Sequence, residues 1–104
     1  MDRAQQVLLY HLLNEDPGIE LATVCDLYIR FYRNGVEVRV DDARDVFYVH
    51  FWAGKLYESA QIEVARRFPK DADLQKLAQT ILEITDELTS AVKQLKENLP
   101  EGLP

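Results

Sequence analysis

The sequence predicts an α+β domain that is mostly helical, with N-terminal helices, a small antiparallel β-hairpin and two C-terminal helices of which the last is long. Three observations predict it. The chain runs from Asp71 to Pro100 without an internal glycine or proline and carries Leu74, Leu77, Ile81, Ile84, Leu88, Ala91 and Leu95 at alternating three- and four-residue steps, a heptad stripe. Residues 36–40, Val-Glu-Val-Arg-Val, alternate apolar and polar, the period of a half-buried strand. Ala4, Val7, Leu8, His11 and Leu12 recur at helical spacing near the N-terminus. With 104 residues and no shift in composition, one domain over 1–100 with a frayed tail at 101–104 is expected.

In chain order, Asp2 and Gln5 form a capping box for a helix over 3–14, which Asn14 to Gly18 ends. Residues 19–33 admit two readings. As a helix the segment has Asp16 as N-cap, Pro17 at the first helical position, Asn34-Gly35 as a left-handed stop and an Asp26–Arg30 pair four residues apart. As a strand it sets Cys25, Leu27, Ile29 and Phe31 against Asp26, Tyr28, Arg30 and Tyr32, with Asn34-Gly35 as a type I′ turn. The hairpin places Arg30 opposite Arg39, a like-charge pair that needs diagonal help from Glu37 and Asp41. The helix is preferred, because both of its ends carry stop signals.

After the turn at Asp41 to Asp45, residues 46–52, Val-Phe-Tyr-Val-His-Phe-Trp, are the most strand-prone in the chain and pair back onto 36–40. A rival helix starting at Asp45 uses Val46, Val49, Ala53, Leu56, Ala60, Val64 and Phe68. On the strand reading, Gly54 is the hinge into a helix over 55–68, closed by Pro69. Asp71 is the expected N-cap of the final helix.

Composition removes several functions. Twelve Lys plus Arg against eighteen Asp plus Glu give a net charge of −6, which repels nucleic acid and anionic lipid. No apolar stretch is long enough to cross a membrane, and the single Cys25 and absence of a leader pattern point to the cytoplasm. The four scattered glycines make no phosphate-cradling loop, and neither Ser59 nor Ser90 sits in a nucleophile elbow. Cys25 with His11 and His50 offers a weak nucleophile or metal constellation, without the spacing a zinc site uses. The carboxylate pairs Glu15-Asp16, Asp41-Asp42 and Asp86-Glu87 belong to turns or a solvated face. No catalytic residue, metal or cofactor is expected.

Partner binding is what remains. The stripe of a 40 Å helix (roughly 27 residues at 1.5 Å each) exceeds what a compact body of this length can cover. Leu77, Ile81, Ile84, Leu88 and Leu95 are therefore expected to support a homodimer. Seven of the ten aromatics fall within 25 residues, and a strand over 46–52 is apolar on both faces. Phe47, Tyr48, Phe51 and Trp52, with Arg66 and Arg67 from the one stretch of positive balance, are the expected contacts to another protein. The function that follows is a small acidic regulatory or adaptor protein acting by protein–protein binding. Two alternatives stand beside it. One is a DNA-binding regulator laid out as a winged helix, using Arg30, Arg33 and Arg39, against which the acidic turn at Asp41, Asp42 and Asp45 and the balance of residues 1–33, three basic to five acidic, both argue. The other is a small enzyme using Cys25.

Overall fold

The computed structural model describes residues 3–25, 27–56 and 59–97, so the Asp2 cap, Asp26 and the 101–104 tail lie outside the described residues. Helix α1 (Arg3–Asn14) leads into five strands, β1 (Ile19–Val24), β2 (Tyr28–Arg33), β3 (Val36–Asp42), β4 (Val46–Leu56) and β5 (Ser59–Pro69), and helix α2 (Leu74–Glu97) closes the chain. The strands form one antiparallel sheet in sequential order, β1-β2-β3-β4-β5. Both helices pack on one of its faces and on each other. The other face carries no element among the described residues.

Two expectations are overturned. Residues 19–24 and 28–33 are two strands, not one helix, and residues 55–56 and 59–68 belong to β4 and β5, not to a helix after a hinge. The domain is a five-stranded sheet with two helices rather than a helical domain with a hairpin. The first misreading has a local cause. Asp16 and Asn34-Gly35, taken as helix ends, serve the strands: Asp16 accepts from the Gly18 amide at 2.8 Å, and Asn34 and Gly35 adopt φ of 52° and 79°, the two positive values a type I′ hairpin needs. The second has a non-local cause. Val64 and Phe68 fit a helical stripe, but Ile62, Val64 and Phe68 also alternate, and β4 needs a partner along its whole length. β5 supplies it from Val46↔Pro69 to Leu56↔Ser59.

The clean alternation of 36–40 holds, with Val36, Val38 and Val40 buried. Facing them from the neighbouring strands are Ile29, Phe31, Phe47, Val49, Phe51 and Ala53, all at 1% exposure or less, and α1 and α2 seal this layer with Leu9, Leu13, Leu77, Ala78, Ile81 and Leu88. The N-cap of α2 is Asp73, not Asp71: its Oδ1 accepts from the Gln75 and Lys76 amides at 2.9 and 3.1 Å. Arg30 does stand opposite Arg39, and the relief is present, diagonally from Glu37, 3.1 Å from Arg30, and along β3 from Asp41, 2.9 Å from Arg39.

Gly35 makes a test of the first hairpin. A β-carbon there meets nothing within 4 Å, so Gly35→Ala costs only the backbone penalty of φ +79°. That penalty is about 1 kcal/mol, read as a lower denaturant midpoint at unchanged slope. A neutral or stabilising result contradicts the left-handed geometry assigned to this turn.

The expected self-association stripe is largely taken up by the chain itself. Leu77, Ile81 and Leu88 are buried beneath α2, Ile84 is half-buried, and Leu95 alone of the five is exposed, at 46%. The body is longer than a compact sphere of this length, with principal extents of 51 × 27 × 21 Å, so a helix of 24 residues, about 36 Å, has a sheet to lie on. No helix among the described residues is long and apolar enough to cross a membrane.

Candidate functional site: the open face of the sheet

Pleating sends alternate side chains of each strand to opposite faces, so the residues between the core positions build a second surface. From β2 it receives Tyr28, Arg30 and Tyr32, from β3 Glu37, Arg39 and Asp41, from β4 Tyr48, His50 and Trp52, and from β5 Glu63, Ala65 and Arg67. The centre is an aromatic row along β4. The Tyr48 and His50 rings are 4.5 Å apart between centroids, and His50 stacks on Trp52 at 5.4 Å with the planes 8° apart. Shallow hollows of about 300 and 230 Å³ flank the His50–Trp52 pair, one against Glu63 and Ala65 and the other against Arg39 and Asp41.

The arginines of this face are engaged with its rings and carboxylates. The Arg39 guanidinium lies 4.4 Å from the Tyr28 ring centre and Arg67 lies 5.5 Å from that of Tyr48. Arg30 donates to the Tyr32 hydroxyl at 2.7 Å, and that bond first, with the Glu37 charge second, raises its pKa and keeps it cationic. Arg30, Arg39 and Arg67 stand against Glu37, Asp41 and Glu63, and β1 adds Glu20 opposite Tyr32, so the surface is close to balanced with one carboxylate in excess. It is aromatic, and its arginines lie against rings and carboxylates and line no cationic groove of the kind that tracks a polyphosphate backbone.

The structure divides the expected partner contacts. Tyr48 and Trp52 stand on the open face, whereas Phe47 and Phe51 point the other way and are fully buried. Arg67 is on the open face beside Tyr48. Arg66 belongs to the helix-side set and donates to the Ala65 carbonyl at 3.1 Å. Tyr28, Tyr32, Arg39 and His50 also stand on this surface and were not among the expected contacts. For Tyr28 and Tyr32 the signal was the strand reading of 19–33, which groups Tyr28, Arg30 and Tyr32 together.

The other constellations come apart. His50 is on the open face and His11 on α1 behind the sheet, while Cys25 follows β1, three strands from His50, about 14 Å at 4.8 Å per strand. Among the described residues no group of three His, Cys, Asp or Glu side chains could hold a metal ion. The winged-helix layout loses its two adjoining helices, because Arg30, Arg33 and Arg39 lie on strands and on both faces: Arg33 points to the helices. A cleft of about 460 Å³ lies between the Asn34-Gly35 turn and the end of α2, with Lys93 and Lys96 at its rim. Lysines there complement the negative end of the helix. No family model, curated protein or solved structure matches the chain.

Proposed function

We propose that this chain is a small non-catalytic binding protein, regulatory or adaptor in role, that holds another protein against the open face of its sheet. The observation that carries the reading is the Tyr48–His50–Trp52 row. Strand β4 has aromatic residues on both faces; one set fills the core, and no element of the described chain covers the other. Tyrosine, tryptophan and arginine are the side chains that contribute most at protein interfaces, and here they are fixed in place by stacking before any partner arrives, which lowers the entropy cost of binding. The charge balance of the face favours a partner surface of mixed polarity over a polyanion.

Trp52 is the only tryptophan, so its emission reports on this face directly. A purified partner is expected to shift Trp52 emission to the blue, and Tyr48→Ala with Trp52→Ala to weaken that complex about 30-fold or more while the melting temperature changes little. Retention of full affinity by the double variant removes the open face from the proposal. Tight binding to a single-stranded oligonucleotide that collapses between 50 and 200 mM salt replaces the protein partner with a nucleic acid.

A further inference from the structure

The two edges of the sheet are built differently. β1 is six residues long and its pairing slips between Glu20 and Thr23, where Leu21 takes a φ of 54° and is 76% exposed. Such a bulge twists an edge away from further pairing. β5 at the other edge is eleven residues long, pairs with β4 in unbroken register and has no neighbour on its outer side among the described residues. On its helix side Ile62, Val64 and Phe68 pack against the core and stay half-exposed. A regular, partly apolar edge is a template for another strand.

We propose that β5 pairs antiparallel with β5 of a second copy of this chain, about a two-fold axis through Ala65, joining the two sheets into one of ten strands. The inference does not rest on the open face being a partner site. The register follows from the side chains. The pleat permits only two-fold registers centred on a residue, since residues directly opposite must share a face. Centring on Glu63, Arg66 or Arg67 sets each of these charges against its own copy, which is unfavourable. Centring on Val64 leaves Glu63 opposite Ala65 and Ile62 opposite Arg66. Centring on Ala65 sets Glu63 opposite Arg67 twice on the open face and, on the helix side, Ile62 opposite Phe68 twice and Val64 opposite Arg66 twice, with the small Ala65 side chains meeting at the axis. Residues 61–69 then pair with 69–61. Of the five registers it alone makes opposite-charge pairs and apolar pairs at once, and it keeps the helices of both copies on one side.

Two measurements test this. Sedimentation equilibrium should give twice the 12.0 kDa monomer mass, with Glu63→Arg and Arg67→Glu each weakening the dimer about tenfold or more and the exchanged double variant restoring it. In a Cys25→Ser background, Ala65→Cys should form a disulfide-linked dimer on mild oxidation, because cross-strand β-carbons at the axis are about 5 Å apart. Glu63→Cys should not, because its copy lies four residues along the ladder, roughly 13 Å away. A monomer at millimolar concentration, a dimer indifferent to both charge reversals, or a cross-link through position 63 in place of 65 overturns the proposal.

Discussion

Ile81→Ala is expected to lower the unfolding free energy by about 3–4 kcal/mol, whereas Leu95→Ala on the same stripe of α2 changes it by less than about 1 kcal/mol. Ile81 has no exposure at all and belongs to the core cluster that α1, α2 and the sheet share, so truncation removes its transfer energy and leaves a cavity that fixed strands cannot close. Leu95 is 46% exposed in the last turns of the helix, where little is lost. For a chain of this length the first change lowers the melting temperature by more than about 10 °C and the second by a few degrees. The pair separates two uses of a heptad stripe. If the stripe served mainly a second chain, both leucine-zipper positions would matter similarly and both effects would depend on protein concentration; here Ile81→Ala acts at every concentration. Equal losses at the two positions contradict the packing of α2 described above.

That contrast also marks what was legible in the residues. The period of α2 is a local property and could be read directly; which surface it meets is not, because the length of the covering sheet depends on where 55–68 go. Those residues satisfy both periods, and the decision rests with β4, whose residues beyond Trp52 have no pairing unless β5 continues the sheet. Val36 to Val40 could be read because strict alternation leaves no helical alternative. At 19–33 the punctuation was recognised and its meaning mistaken: an Asx turn and an Asn-Gly pair bound a helix or a pair of strands equally well, and the like-charge contact of Arg30 with Arg39 counted against the arrangement that forms. Its compensation through Glu37 and Asp41 was visible in the same spacing. Of the open face, Tyr48, Trp52 and Arg67 were identified from composition; Tyr28 and Tyr32 depended on the strand assignment of 19–33 and fell with it.

Arg33 carries the second large effect, and it is a residue that charge counting places on the surface. Its side chain is 13% exposed and joins the turn before β1, the end of β2 and the middle of α2. It donates to Asp16 at 3.2 and 3.3 Å, to the Thr85 hydroxyl at 2.8 Å, to the Leu82 carbonyl at 3.3 Å and to Asp86 at 2.5 Å. Burial works against its charge, and the bonds to Asp16 and Asp86 outweigh that, so its pKa is raised and it stays cationic. Arg33→Met is expected to cost about 2–3 kcal/mol, chiefly because it strips the half-buried Asp16 of its partner; Asp86, at 61% exposure, adds little. Acid then distinguishes this account from simple loss of packing. The Arg33 hydrogen bond holds the Asp16 carboxyl below its ordinary pKa, against the opposing effect of burial, so its contribution to stability is present above about pH 4 and is lost as the pH falls through the folded value. Asp16→Asn lacks that titration. The stability gap between the wild-type chain and Asp16→Asn, measured by urea unfolding, should therefore be wide at pH 6 and narrow steadily below pH 4. A gap that stays constant down to pH 2 means that the Arg33–Asp16 bond does not join the first strand to the body of the sheet in solution.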